Sequence, residues 1–340
     1  MRYEAQVFTC DDKGGNPVTV FLFPNRADID FESRCSLAKT CGWESAFVLC
    51  GDRELIQHQK DDQQCLPDLY FHVPAGEEIG FCAHAAIGAS VVYQTKIDAA
   101  FCIDKERVSS LFRFRSGNRI VEVTVNKVEG TGELELSSED FEEKALHQHS
   151  LISTLLHEIG LESEHVYLTS PPSQVYSMVD SNVQVEKSKS SYDDSPSFPS
   201  IINSSIARFK TLIAVKSIEV LRLASIPKHP DTFRDICDKI GSTGVYLYCK
   251  INRSTYECRQ FPRASGYPED PATGIAATTL AASLRIRKLC PNNVVIYQGT
   301  EMGRRSRISV RFSTKNSRHL GNNECKEDRI FCSGAVIITD

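Results

Sequence analysis

The sequence predicts an α+β protein made of two similar halves that face each other across a cleft. Two observations carry this. Each half runs through strands and a helix into a tight turn, and each turn opens a helix rich in small residues. In the first half that stretch is Cys82 to Ser90, and in the second it is Asp270 to Ala282. Small side chains let such a helix pack closely against its surroundings. One helix N-terminus from each half, with its free N–H groups and positive dipole end, would then face the cleft.

The elements follow in order. Residues 5 to 10 and 18 to 23 are apolar or alternate, with Gly14-Gly15-Asn16-Pro17 between them, which is a strand, a turn and a strand. Asp28 or Asp30 caps a helix expected through Cys41, with Phe31, Cys35 and Ala38 at helical spacing and Gly42 as its stop. Trp43 to Leu49 reads as a strand entered through Glu44, and residues 68 to 73 as another. Phe81-Cys82-Ala83-His84-Ala85 then turns into a helix reaching Gln94. Two strands are expected within 107 to 128, and a helix from Ser138 to Ile159, where Phe141, Ala145, Ile152, Leu155 and Leu156 fall largely on one side and Gly160 ends the run.

Residues 170 to 205 are rich in Ser, Pro and Asp, and Glu186 to Ser200 is expected as a mobile surface loop. A strand at Lys210 to Lys216, a helix at Pro230 to Ile240 and strands at Gly244 to Lys250 and near Gln260 lead to the second turn and helix. Strands at Val294 to Gln298, Ile308 to Phe312 and Ile330 to Thr339 complete the chain. The expected division is 1–106 and 107–327, with the last strand, about 328–340, returning to the first unit.

Bulk properties narrow the function. At 340 residues, with 41% hydrophobic and 24% charged side chains, the chain suits two ordinary domains. A net charge of −5 makes no electrostatic case for nucleic acid. No apolar run approaches the ~20 residues of a membrane helix, and the first residues read as a strand, not a leader. The 13 cysteines are odd in number and show no C-x-x-C spacing. They read as free thiols, mostly buried, in a reducing compartment, and so as a cytoplasmic protein without a zinc site. His157-Glu158 lacks a second histidine for a metal motif, and no Walker, dinucleotide or G-x-S-x-G signature occurs.

Three side chains are placed to move protons. Glu44 precedes an apolar strand, where burial would raise its pKa toward that of a general base, or it is a solvated strand-end carboxylate. His84 sits at a helix start, whose dipole disfavours its cation, so it is either a neutral donor or a satisfied core histidine. Asp270 before Pro271 is either an N-cap with Pro at the first helical position or a functional carboxylate, and the two roles can coexist. An anionic small molecule suits the turn in front of it.

Together these residues resemble the phenazine-biosynthesis PhzF-like isomerase family, which has the diaminopimelate epimerase fold. Val7-Phe8 with Gly15-Asn16-Pro17-Val18 looks like the family's first strand and GNP turn. Glu44-Ser45-Ala46-Phe47-Val48 is similar to its catalytic-glutamate strand, and Phe81-Cys82-Ala83-His84-Ala85 to its F-C-G-H-A turn. Glu269-Asp270-Pro271-Ala272-Thr273-Gly274 matches E-D-P-x-T-G, and Gln298-Gly299 with Met302-Gly303-Arg304 resembles QG…MGR. The resemblance implies two domains, each a sheet wrapped around a central helix, with the active site between them. It implies Glu44 as the acid/base residue, His84 and Asp270 beside it, and a substrate bordered by Asn16, Ala83, Thr273, Gly274 and Ile275. It also implies isomerisation of a small carboxylic acid by proton transfer, no metal or pyridoxal cofactor, and a homodimer.

The fold's other branch uses two thiols. Cys82 stands near the first position, but no cysteine lies between Arg259 and Lys288 for the second. Three positions differ from the PhzF-like pattern: Trp43 replaces a usual Ser, Ala83 a Gly and Ile275 a Ser. They leave open a second reading, a protein that keeps the fold for binding without turnover. An open polar pocket between the two turns favours the enzyme, and one filled by Trp43 and Ile275 favours the binding protein.

Overall fold

The computed structural model describes residues 1–50, 66–101, 108–146, 148–167, 201–317 and 325–339. Glu186 to Ser200, expected as a surface loop, lies outside the described residues. The first half contains β1 (Arg2–Thr9), β2 (Asn16–Phe23), α1 (Phe31–Ala38), β3 (Ser45–Leu49), β4 (Asp68–His72), the short β5 (Glu78–Ile79), α2 (Ala83–Phe101), β6 (Ser109–Ser116), β7 (Arg119–Asn126) and β8 (Thr131–Ser137). The second contains β9 (Glu142–Ala145), α3 (His149–Glu158), β10 (Ile202–Ser205), β11 (Lys210–Ala214), α4 (Ile218–Leu223), α5 (Pro230–Ile240), β12 (Gly244–Lys250), β13 (Thr255–Pro262), α6 (Gly274–Ile286), β14 (Asn293–Gln298) and β15 (Ser306–Ser317). The long β16 (Cys325–Thr339) joins them.

The halves repeat one pairing scheme. β2 pairs antiparallel with β1 and parallel with β3, and β3 antiparallel with β4. In the same way β11 pairs antiparallel with β10 and parallel with β12, and β12 antiparallel with β13. α2 follows the first set and α6 the second. The strands run β1-β2-β3-β4-β6-β7-β8-β16, and β16 also pairs with β1, so the first set closes into a ring. β15, β14, β13, β12, β11, β10 and β9 continue from β16 as the second curved set.

α2 packs inside the ring, against β1, β2, β3, β7, β8 and β16, and α6 packs against β10, β11, β15 and β16. This is why both helices are made of small residues. A Cβ at Gly88 would lie 2.7 Å from Val18 Cγ1, so the helix axis could not stay so near β2 with a larger residue there. The buried hydroxyls of Ser90, Thr278 and Thr279 donate to the carbonyls of Ala86, Gly274 and Ile275, each at 2.8 Å, which satisfies them without a partner outside the helix. β6, β7 and β8 stand in the ring around α2, whereas the expected division at 107 assigns them to the second half. Among the described residues, no helix is long and apolar enough to cross a membrane.

Several elements differ from expectation. The helix expected from Ser138 is a 3-10 turn (Ser138–Asp140), then β9, and only then α3. Tertiary pairing overrides the helical spacing here. β9 is drawn into the sheet by β10, and Glu143 is buried against Arg287 (3.0 and 2.7 Å) and the Ser204 hydroxyl (2.9 Å). β10 itself was hidden within a stretch read as polar, yet all four of its residues are buried. β8 and α4 were not foreseen, and α1 ends at Ala38, short of Cys41.

Candidate active site

The starts of α2 and α6 lie side by side, and polar side chains from both halves gather in front of them. Asn16, at the start of β2, reaches into the second half. Its amide donates to Asp270 Oδ1 (2.8 Å) and to the Ala272 carbonyl (2.7 Å). The Ala272 N–H also donates to Asp270 Oδ1 (3.3 Å), and the Thr273 hydroxyl donates to Oδ2 (2.6 Å). Both carboxylate oxygens of Asp270 are therefore held.

Thr273 precedes α6 without capping it through its own side chain. Gln298, at the end of β14, braces the turn before it: it accepts the Thr273 N–H (3.1 Å) and donates to the Asp270 carbonyl (2.6 Å). The Tyr246 hydroxyl in turn donates to the Gln298 Oε1 (3.0 Å). The following turn clamps the Asn16 side, where the Arg304 guanidinium donates to Gln6 (3.0 Å) and to the Gly15 carbonyl (3.3 Å).

The paired carboxylates Glu269 and Asp270 have separate duties. Glu269 turns away into a buried bidentate pair with Arg259, two contacts of 2.8 Å, and Arg259 also donates to the Leu221 and Ala224 carbonyls. That pair anchors the turn on β13. Asp270 faces the cleft. Burial pushes its carboxyl up to about 6, with the Glu44 charge adding to the rise and His84 opposing it.

Glu44 enters the cleft from the other half, just before β3. It is 6% exposed, which removes the solvated-carboxylate alternative. Its Oε1 accepts the Tyr267 hydroxyl. Its Oε2 is buried without a hydrogen-bond partner among the described residues and lies 3.9 Å from His84 Nε2. Burial pushes the Glu44 carboxyl up, and the Tyr267 hydrogen bond pulls it back. Burial lowers His84 to about 4, against the Asp270 charge, so the imidazole is neutral at neutral pH. Its Nδ1 lies 3.3 Å from Cys82 Sγ. Burial and the Glu44 charge push the Cys82 thiol upward, so it stays protonated and is not an activated nucleophile.

A cavity of about 230 Å³ lies between the two helix starts. Seven expected residues line it: Glu44, Ala83, His84, Asp270, Thr273, Gly274 and Ile275. Asn16 does not; it stands behind Asp270 and fixes it. Trp43 is also off the wall, and its indole N–H donates to Glu4 Oε2 at 3.1 Å. The cavity is thus open and polar, bordered by Ile275 but not filled by Trp43. The lining residues that were not foreseen include Lys210, Arg208, Gln260 and Tyr267. The one sequence signal was a Lys and a Gln each adjoining an apolar strand run. Among the described residues, no group of three or more His, Cys, Asp or Glu side chains is placed to hold a metal ion.

A set of strands packed on one small-residue helix, repeated and joined helix start to helix start, is the diaminopimelate-epimerase-like fold. The chain belongs to the PhzC-PhzF family, described as phenazine biosynthesis-like protein, whose match spans residues 5–326. No curated protein matches the sequence. Solved structures with the same fold include a PhzF-family phenazine biosynthesis protein from Bacillus anthracis and a protein from Pseudomonas aeruginosa described as a predicted epimerase. Each has a TM-score of 0.68 and 18% identity, with 100% of this chain and 96% of that chain covered. A PhzF-family protein from Enterococcus faecalis is similar at a TM-score of 0.60 and 15% identity, with 100% and 96% covered.

Proposed function

We propose that this protein is an isomerase that moves a proton on a small carboxylic acid by general acid/base catalysis, without a cofactor. The observation that carries the reading is the division of labour within Glu44. One oxygen is anchored by Tyr267, and the other is buried beside His84 with no hydrogen-bond partner among the described residues, in a side chain that lines the cavity. A carboxylate held in this way is a general base: its position is set and its basicity is raised by burial. Glu44 takes a proton from an acidic C–H and becomes a carboxylic acid. The same proton returns to a second carbon of the conjugated system, so no atom is gained or lost.

Neutral His84 beside the free oxygen serves as a proton relay or a hydrogen-bond donor to the substrate. Asp270, with both oxygens held, acts through its charge and by fixing the turn. The helix starts at Ala83 and Gly274 supply N–H groups and dipole ends that favour the acid group of the ligand. Ile275 makes one border apolar, which suits a substrate with hydrocarbon on that side. It also supports a second reading, a binding protein of the same fold that has lost turnover with the hydroxyl its relatives carry.

Solvent-deuterium exchange into a panel of unsaturated carboxylic acids separates the two. The wild-type protein is expected to exchange at least one acid, and Glu44→Gln to lower the rate at least about 100-fold. Equal rates in the two proteins would remove Glu44 from the chemistry. No exchange with any acid would favour the binding protein.

A further inference from the structure

The wall of the cavity supplied by the second half holds two buried polar side chains that the proton transfer does not use. Lys210 opens β11. It is 7% exposed, and its ammonium donates to the Thr243 carbonyl at 3.3 Å. It forms no ion pair among the described residues. Gln260, near the end of β13, is 0% exposed, and among the described residues neither its Oε1 nor its Nε2 has a hydrogen-bond partner. Both side chains line the cavity, and Arg208, which donates to the Phe81 carbonyl at 3.2 Å, lines it too.

Buried amides are nearly always hydrogen-bonded, and a buried ammonium without a counter-charge is costly. One group would engage both side chains. A carboxylate would neutralise Lys210, and it would accept from the Gln260 amide nitrogen. β11 and β12 run parallel from this end, and β13 returns to it, so the fold brings Lys210, Thr243 and Gln260 to one border of the cleft.

We infer that Lys210 and Gln260 form a second acid-binding subsite, so that the substrate is a dicarboxylic acid with one carboxylate at the helix starts and the other on this wall. The inference rests on the isomerase reading only in calling the ligand a substrate. The subsite is testable by binding alone. Isothermal calorimetry on the full chain would compare glutarate and adipate with the matched monoacids pentanoate and hexanoate. The wild-type protein is expected to bind the diacids at least about tenfold more tightly. Lys210→Met and Gln260→Leu, each first shown to melt cooperatively, should lose that preference while holding the monoacids as before. Lys210→Gln serves if the Met variant does not fold. Equal affinity for diacids and monoacids, no binding of either, or a preference that survives at Lys210→Met would overturn the inference. Because turnover is not read, a failed exchange experiment with Glu44→Gln and a failed diacid preference are separate results.

Discussion

Gly274 and Ala83 touch across the cleft. A Cβ at Gly274 would lie 3.1 Å from the Ala83 Cβ and 2.9 Å from Phe8 Cζ. The first residue of each central helix thus meets the other, and the approach depends on one of them having no side chain. Gly274→Ala must push the helix starts apart or move the Phe8 ring. A loss of about 1–3 kcal/mol in unfolding free energy is expected. A fall in exchange rate of roughly tenfold or more should accompany it, because the groups facing the cavity lose their alignment. Denaturant unfolding and the exchange assay read the two effects, and an unchanged midpoint would show that the contact is slack.

Tyr267 is a positioning residue for Glu44. Its hydroxyl donates to Oε1 and stabilises the charged carboxylate against burial. Tyr267→Phe removes a hydrogen bond to a charged group, worth roughly 1.5–3 kcal/mol. The rise in the Glu44 pKa should move the acidic limb of the pH–rate profile to higher pH. A profile that falls in amplitude with no displacement would assign Tyr267 to packing only.

His84 and its neighbouring carboxylates bind protons in opposing ways. His84 falls from an ordinary 6.5 to about 4, so the unfolded chain binds the extra proton, and its contribution to stability rises with pH across that window. Asp270 rises from 3.8 to about 6, so the folded chain binds the extra proton, and stability falls as pH climbs from about 4 to 6. Glu44, also raised, acts in the same sense as Asp270. His84→Asn removes the opposing contribution. Between pH 4 and 6 the variant should lose stability relative to wild type by on the order of 2 kcal/mol. Parallel pH–stability curves for the two proteins would contradict the assignment of a buried neutral imidazole.

Glu269→Ala should be structural in effect. It leaves Arg259 buried without its counter-charge, which costs about 3–5 kcal/mol. Since Glu269 does not line the cavity, exchange per folded molecule should change less than it does in Glu44→Gln. A variant as stable as wild type would mean that Arg259 finds a replacement partner.

Some of this was legible in the sequence because it is local. Glu44, His84 and Asp270 each sit in a short motif at the junction of a turn with a strand or helix, and the turn residues mark the junction. The different fates of Glu269 and Asp270 were not legible. Adjacent residues here point to different neighbours: Glu269 to Arg259 on β13, ten residues away, and Asp270 to Asn16 on β2, 254 residues away. The expected helix over Ser138 to Ile159 failed for a related reason, since β10 recruits Glu142–Ala145 from far along the chain.

By itself the sequence determined the order of the elements, the two small-residue helices and the turns that open them, because side-chain size, periodicity and turn chemistry act over a few residues. Only the tertiary structure decided what meets at the cleft. Asn16 lies 254 residues from Asp270 in sequence and Tyr267 lies 223 from Glu44, yet each pair shares a hydrogen bond. Lys210 and Gln260 look like ordinary strand residues until β11, β12 and β13 bring them to one wall. Among the described residues, burial then leaves Lys210 without an ion pair and the Gln260 amide without a hydrogen-bond partner.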